Sequence, residues 1–328
     1  MTTHNLASPL VGIVIGDPTG IGPEVAVKAC IDPRIGAACR PVLIGSARVM
    51  AEAQRLTGLR LPLRVVDTVI ASACPSGAID LIDPVTFPDE ELVYGRDLES
   101  MGRLTGAWLE HADRLARQGS LAATVMGPIS GVAMKMAGTL ATIPSYSDEG
   151  AYLILRSAPL MIAHLTDHVA LRAVSSLVTE DAVCALVRKL DDALRRWGLP
   201  SRRIAVAGLN PHAEGEEEAR HIVPALTLMR SEGIDVTGPV SPDSVFRHCI
   251  EGRHDIVVAL YHDQGHIAMK TWGFSGNSVV MLGPPYVHTT VAHGVAHDIA
   301  GTGTADPEML INAILNAAYL AAGRGFYV

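Results

Sequence analysis

Cysteine is scarce in this 328-residue chain and poorly placed for structural chemistry: Cys30, Cys39, Cys74, Cys184 and Cys249 are far apart, odd in number and never spaced as CxxC. A disulfide framework and a zinc ribbon are both excluded. No apolar run nears the roughly 20 residues that span a bilayer, and the polar start Met1–Ala7 lacks the charged and apolar regions of a signal peptide. No membrane association is expected, and the expected location is cytoplasmic. A basic excess is missing too, since 26 Lys and Arg stand against 34 Asp and Glu for a formal charge of −8. That argues against nucleic acid or an anionic membrane as the main partner and leaves a small-molecule substrate. Repeats and Gly-Ser or charged linkers are absent as well, so the two domains expected from the length are closely joined.

What is present is a chain rich in buried-type residues, 48% hydrophobic, with glycine and proline dispersed rather than clustered. Short aliphatic runs at Val11–Ile15, Arg40–Ile44, Ala122–Val125, Met161–Leu165, Ile204–Ala207 and Ile256–Leu260 read as buried, largely parallel strands. Helical patterns lie between them at Pro23–Cys30, Gly102–Gln118, Asp181–Trp197, Ala219–Glu232 and Pro307–Ala322. The alternation predicts an α/β fold. With no linker, one discontinuous domain of residues 1–125 and 295–328 and a second of 126–294 are expected to clamp a cleft.

Function is sought where glycine, histidine and aspartate follow strands. Gly16-Asp17-Pro18-Thr19-Gly20-Ile21-Gly22-Pro23-Glu24 closes the first strand and opens a helix, so Asp17, Thr19 and free backbone N–H groups are expected to face a ligand. The plain alternative is a tight turn. His168, His212 and His262 each lie just past a strand, where three imidazoles can meet around one divalent ion; each singly also reads as a structural histidine. His164 sits inside the apolar run and reads as core. Asp243 and Asp263 can move a proton or orient an imidazole, although Asp243 also suits a helix N-cap. Lys270 can reach a substrate anion or remain solvated. The glycine-punctuated loop from His293 to Pro307 can wrap an adenosine with backbone groups, or be a plain loop.

Together GDPTGIGPE, GLNPHA, YHDQGH and AHGVAHDIAGTGTAD resemble the 4-hydroxythreonine-4-phosphate dehydrogenase (PdxA) family over essentially the whole chain. The glycine-rich ends are also similar to the isocitrate and isopropylmalate dehydrogenase fold. The resemblance implies two α/β/α domains sharing a central cleft, a homodimer, NAD, and one divalent metal ion (zinc, magnesium, manganese or cobalt). The metal would be shared between subunits, with the three family histidines falling on His168, His212 and His262. The proton-handling carboxylates fall on Asp243 and Asp263, the substrate lysine on Lys270, and the cofactor loop on His293, Gly294, Asp298, Gly301 and Gly303.

Departures from the pattern bear on the substrate. Members that oxidise a phosphorylated substrate have Gly-His-Thr-Glu where this chain reads Ile143-Pro144-Ser145-Tyr146-Ser147-Asp148-Glu149, and Val279 and His288 replace a phosphate-gripping asparagine and arginine. A branch that oxidises cis-dihydrodiols of aromatic acids, notably that of terephthalate, is similar in lacking Gly-His-Thr-Glu. The expected activity is metal-dependent, NAD-linked oxidation of a secondary alcohol in a small hydroxy acid or carboxylated cis-dihydrodiol, with decarboxylation. The alternatives are a 4-hydroxythreonine-4-phosphate dehydrogenase and, from another class, a non-redox metal-dependent lyase or a ligand-binding protein.

Overall fold

The aliphatic runs do form strands, each within a residue of its expected place, but in a richer framework than the sequence pattern suggests. The computed structural model describes residues 8–69, 77–147, 151–273 and 277–327; Met1–Ala7, Cys74, Asp148 and Glu149 lie outside them. The strands are β1 (Leu10–Val14), β2 (Arg40–Ile44), β3 (Leu63–Val65), β4 (Ile79–Ile82), β5 (Ala123–Met126), β6 (Tyr152–Ser157), β7 (Leu160–His164), β8 (Ile204–Ala207), β9 (Val236–Val240), β10 (Ile256–Ala259), β11 (Ser278–Leu282) and β12 (Val287–Thr290). The helices are α1 (Gly22–Ile31), α2 (Pro33–Ala38), α3 (Ala47–Thr57), α4 (Glu99–Arg117), α5 (Gly131–Ala137), α6 (Leu171–Leu177), α7 (Glu180–Arg196), α8 (Val223–Ser231), α9 (Val245–Ile250), α10 (His262–Trp272) and α11 (Glu308–Ala321). No described helix is long and apolar enough to cross a membrane.

One compact unit takes the described residues of Met1–Gly150 with Pro284–Ala322 and Tyr327. Its strands run in the order β3-β4-β2-β1-β5-β12, every pair parallel. Strand β1 is buried on both faces at Val11, Ile13 and Val14, which is why it reads as a continuous apolar run rather than an alternating one. The chain leaves this unit after residue 150 and returns at 284, against 125 and 294 expected. Two contacts hold the extra residues there. Gly102 and Gly106 let α4 lie so close to the Ala133 carbonyl and Thr139 that an added Cβ would stand 2.1 and 2.5 Å from them, and β12 pairs with β5.

The second unit is Ala151–Gly283 with Gly323–Phe326. Its order is β11-β6-β7-β10-β8-β9. Strands β11, β6 and β7 pair antiparallel, whereas β7, β10, β8 and β9 are parallel. That parallel half matters for function, because all its strands deliver their carboxyl ends to one edge. Cys30, Cys39, Cys184 and Cys249 are buried free thiols, and burial pushes the Cys30 and Cys39 thiols up to about 12. They are inert packing residues.

Candidate functional site

In the second unit, the carboxyl ends of β7 and β10 are laced together. The Leu165 N–H donates to the Ala259 carbonyl at 2.8 Å and the Thr166 hydroxyl to the Leu260 carbonyl at 2.9 Å. The lacing sets Asp167 and His168 beside the first turn of α10. Ligand atoms of Asp167, His168 and His262 come within 4.8 Å of one another. They line a cavity of about 210 Å³ with Leu171, Tyr261 and Asp263. Donor atoms around one divalent ion stand roughly 3 to 4 Å apart, so small side-chain rotations would bring this group to the spacing of metal ligands.

The YHDQGH segment is the opening of a helix rather than a loop. Its glycine and histidines are weak helix formers, so tertiary bonds hold it. The Leu260 N–H donates to Gln264 Oε1 at 2.7 Å, and Gln264 Nε2 donates to the Gly208 carbonyl at 2.9 Å, tying the ends of β10 and β8. Once helical, His262, His266 and Lys270 recur every four residues on one face. Asp263 Oδ1 pairs with His262 Nδ1 at 2.7 Å, which holds the Asp263 carboxyl below the usual carboxylate range. With Nδ1 so engaged, Nε2 is the His262 nitrogen left that could hold a metal. The His266 ring stacks on His262 with centroids 3.7 Å apart and planes 13° apart. His164 lies behind His266 at 4.9 Å. Its burial pushes the imidazole down to about 3, so it stays neutral core, and it is outside the metal-competent group. Gly265 makes room for it, since an added Cβ would lie 2.2 Å from His164 Nε2.

His212 is on the loop after β8, with φ of 59°. Asn210 and Glu218 build that loop: Glu218 Oε1 accepts from the Leu209 and Asn210 N–H groups at 2.7 and 2.8 Å, and Asn210 Nδ2 donates to Glu218 Oε2 at 2.7 Å. His212 is exposed and is not among the residues that converge within one chain. It faces Asp243, whose carboxyl is lowered first by a hydrogen bond from the Ser241 hydroxyl and also by the His212 charge. Ser244, not Asp243, stands at the N-cap of α9, which removes the capping alternative. Lys270 is exposed on α10.

The first unit carries the glycine-rich turn and the loop after β12. Contrary to expectation, four of the turn's N–H groups are not free. Asp17 N donates to the Pro128 carbonyl, Thr19 N to Asp17 Oδ1, Gly20 N to the Asp17 carbonyl and Ile21 N to the Val295 carbonyl, at 2.8 to 3.2 Å. Asp17 is fully buried, and burial raises its carboxyl. These four groups therefore brace the chain rather than cradle an anion. The loop is braced as well: Lys28 Nζ donates to the Gly303 and Ala305 carbonyls at 2.8 and 2.6 Å, and the Gly301 N–H donates to Glu24 Oε1 at 2.7 Å. His297 Nε2 meets Asp97 Oδ1 at 3.0 Å. Gly301 and Gly303 have positive φ, and a Cβ there would stand 2.7 Å from the Tyr94 ring and 2.5 Å from the Leu56 carbonyl. Packing alone demands glycine at both. Gly294 and Asp298 are exposed along the loop and His293 is partly so, its Nδ1 turned to the Gly294 carbonyl at 2.9 Å.

Two positions bearing on phosphate lie in the core. Val279 is buried in β11. His288 is buried in β12, its Nδ1 is 2.6 Å from the Thr124 hydroxyl, and desolvation pushes it down to about 4. A neutral core imidazole is no phosphate cation. Two residues went unnoticed in the sequence: Asp167, hidden by its neighbour His168, and His266, detectable from the H-x3-H-x3-K spacing once the segment is taken as helix.

Comparison with known proteins identifies the family. A relative from Novosphingobium aromaticivorans, provisionally named 4-hydroxythreonine-4-phosphate dehydrogenase, is 50% identical over 325 residues, 99% of this chain and 98% of its own. One from Symbiobacterium thermophilum, provisionally named D-threonate 4-phosphate dehydrogenase, is 40% identical, covering 96% and 98%. Among solved structures, a 4-hydroxythreonine-4-phosphate dehydrogenase from Klebsiella pneumoniae superposes with a TM-score of 0.83 at 34% identity, covering 97% of this chain and 99% of that one. A terephthalate 1,2-cis-dihydrodiol dehydrogenase from Burkholderia xenovorans gives 0.69 at 31%, covering 95% and 98%. The family described as pyridoxal phosphate biosynthetic protein PdxA matches residues 37–317, and the chain belongs to it.

Proposed function

We propose that this chain catalyses the NAD-linked, divalent-metal-dependent oxidation of the secondary alcohol of a four-carbon hydroxy acid bearing a terminal phosphate, as in 4-hydroxythreonine 4-phosphate or D-threonate 4-phosphate. The observation that carries it is the single face of α10, which holds His262 in the metal-competent group and Lys270 two turns on. Eight residues of helix span about 12 Å, which would place the lysine near the far end of a small anionic substrate held at His262. The relatives' names supply the phosphate.

The residues present fit both groups the family implies. His168 and His262 would hold the ion, with His212 supplied from a second copy in a homodimer, and a bound ion would acidify the substrate hydroxyl. Gly294 and Asp298, exposed on a loop braced by Lys28 and Glu24, would hold the adenosine of NAD, which accepts the hydride. Asp263 fixes the tautomer of His262. Asp243, beside His212, is the carboxylate left to take the hydroxyl proton. The carbinol C–H departs with two electrons and the O–H proton goes to the carboxylate, leaving a ketone. Where that ketone is β to the substrate carboxylate, carbon dioxide can leave.

A second reading, oxidation of a non-phosphorylated hydroxy acid or carboxylated cis-dihydrodiol, draws on the buried, neutral His288, which supplies no charge to a phosphate. Steady-state NADH formation with the two 4-phosphates, their dephosphorylated forms and a carboxylated dihydrodiol, each with Mn²⁺, Mg²⁺, Co²⁺ or Zn²⁺, separates the readings. Turnover of the 4-phosphates at a kcat/KM at least about tenfold above the others, abolished by chelation, is expected. A preference for the dihydrodiol establishes the second reading, and metal-independent turnover removes both.

A further inference from the structure

Two Asp–His neighbours sit at this site, and they are built differently. Asp263 accepts an aligned hydrogen bond from His262 Nδ1 at 2.7 Å, the arrangement of a carboxylate that orients an imidazole from behind. Asp167 Oδ1 lies 3.1 Å from His168 Nδ1, yet that oxygen is buried and accepts no hydrogen bond among the described residues. The two atoms are close without a hydrogen bond between them. Burying a carboxylate oxygen without a partner is costly. The segment is nevertheless held in place, by the strand-end lacing at Leu165 and Thr166 and by the Val169 N–H donating to the Asp167 carbonyl at 2.7 Å.

We infer that Asp167 is itself a metal ligand, so that one chain supplies a two-histidine, one-carboxylate set of Asp167, His168 and His262. The inference rests on the metal-dependent reading above and changes what the site selects. Three neutral imidazoles leave both charges of a divalent ion uncompensated and suit zinc or cobalt. Replacing one nitrogen donor with a carboxylate oxygen cancels one charge and hardens the site toward manganese and magnesium. The same set makes metal capture a property of a single subunit, with His212 from a second copy adding to it rather than completing it.

The test is binding of Mn²⁺ alone to the full-length protein, followed by the electron paramagnetic resonance signal of free Mn²⁺, with Zn²⁺ binding measured by competition with a chelating dye. Asp167→Asn is expected to weaken Mn²⁺ at least tenfold while the melting temperature stays within about 2 °C of native, and to weaken it more than His212→Ala does. Asp167→His, which restores a third imidazole, is expected to lose Mn²⁺ but keep Zn²⁺ within about threefold, and serves if the asparagine variant does not fold. Native-like Mn²⁺ affinity in Asp167→Asn, with loss in His168→Ala and His262→Ala, overturns the inference and leaves the metal-dependent reading standing. Failure of the native chain to bind Mn²⁺, Co²⁺ or Zn²⁺ overturns that reading, and the inference with it.

Discussion

At the scale of single residues, charge and close packing have separable consequences on α10. Lys270 is exposed and shares its face with His262, so its ammonium is available to an anionic substrate. A hydrogen bond to a charged group contributes about 1.5 to 3 kcal/mol, the equivalent of roughly 10- to 150-fold in an equilibrium constant. Lys270→Met is therefore expected to raise KM for a phosphorylated substrate by that factor and to change kcat and the KM for NAD little. Steady-state kinetics decide it, and an unchanged substrate KM removes Lys270 from the site. Gly265 works through space alone. Gly265→Ala would set a methyl 2.2 Å from His164 Nε2, and overpacking of this kind costs about 1 to 3 kcal/mol. Urea denaturation should show a loss of that size in Gly265→Ala, recovered in part when His164→Ala is added, because the second change removes the atom the methyl meets.

At the scale of elements, legibility in the sequence followed how local the cause was. The parallel strands β1, β2, β8 and β10 were readable because burial on both faces writes an uninterrupted aliphatic run. The first turns of α10 were not, because they are held by Gln264 bonding to the ends of two strands, and nothing in the local composition announces a helix with glycine and two histidines. The glycine-rich turn was recognisable as a feature but misread in its use. Whether its N–H groups are free depends on Pro128 and Val295, more than 100 residues away. The loop after β12 was located by its glycines, yet Gly301 and Gly303 answer to Tyr94 and Leu56, so bulky replacements there test the loop's shape rather than a cofactor contact. Lys28 offers a cleaner handle. Its ammonium holds the Gly303 and Ala305 carbonyls from outside the loop. Lys28→Met should loosen the loop and raise KM for NAD severalfold, with substrate KM and bound Mn²⁺ unchanged. Equal effects on both Michaelis constants would mean a general loss of structure instead.

At the scale of the whole molecule, each compact unit contains an imidazole kept neutral by burial, His288 in the first and His164 in the second. The folded value of His288 is about 4 against an ordinary 6.5. Between those values the unfolded chain binds the proton and the folded chain does not, so stability falls as pH drops from 6.5 toward 4 and is fully present above 6.5. At pH 5 the difference amounts to about 2 kcal/mol for His288 alone. Removing the titration while keeping the hydrogen bond isolates this effect, and His288→Gln retains a polar partner for the Thr124 hydroxyl, which lies 2.6 Å from His288 Nδ1. The variant is expected to start less stable at pH 7, because the packing is altered. Its further loss between pH 7 and pH 5 should be about 2 kcal/mol smaller than that of the native chain, measured from urea midpoints at each pH. An equal loss in both proteins would mean that His288 is protonated in the folded state, and its place as a neutral core residue of β12 would then have to be abandoned. His164, pushed lower still, keeps a second acid-sensitive point in the other unit, so the variant should remain acid-labile and only the slope should change.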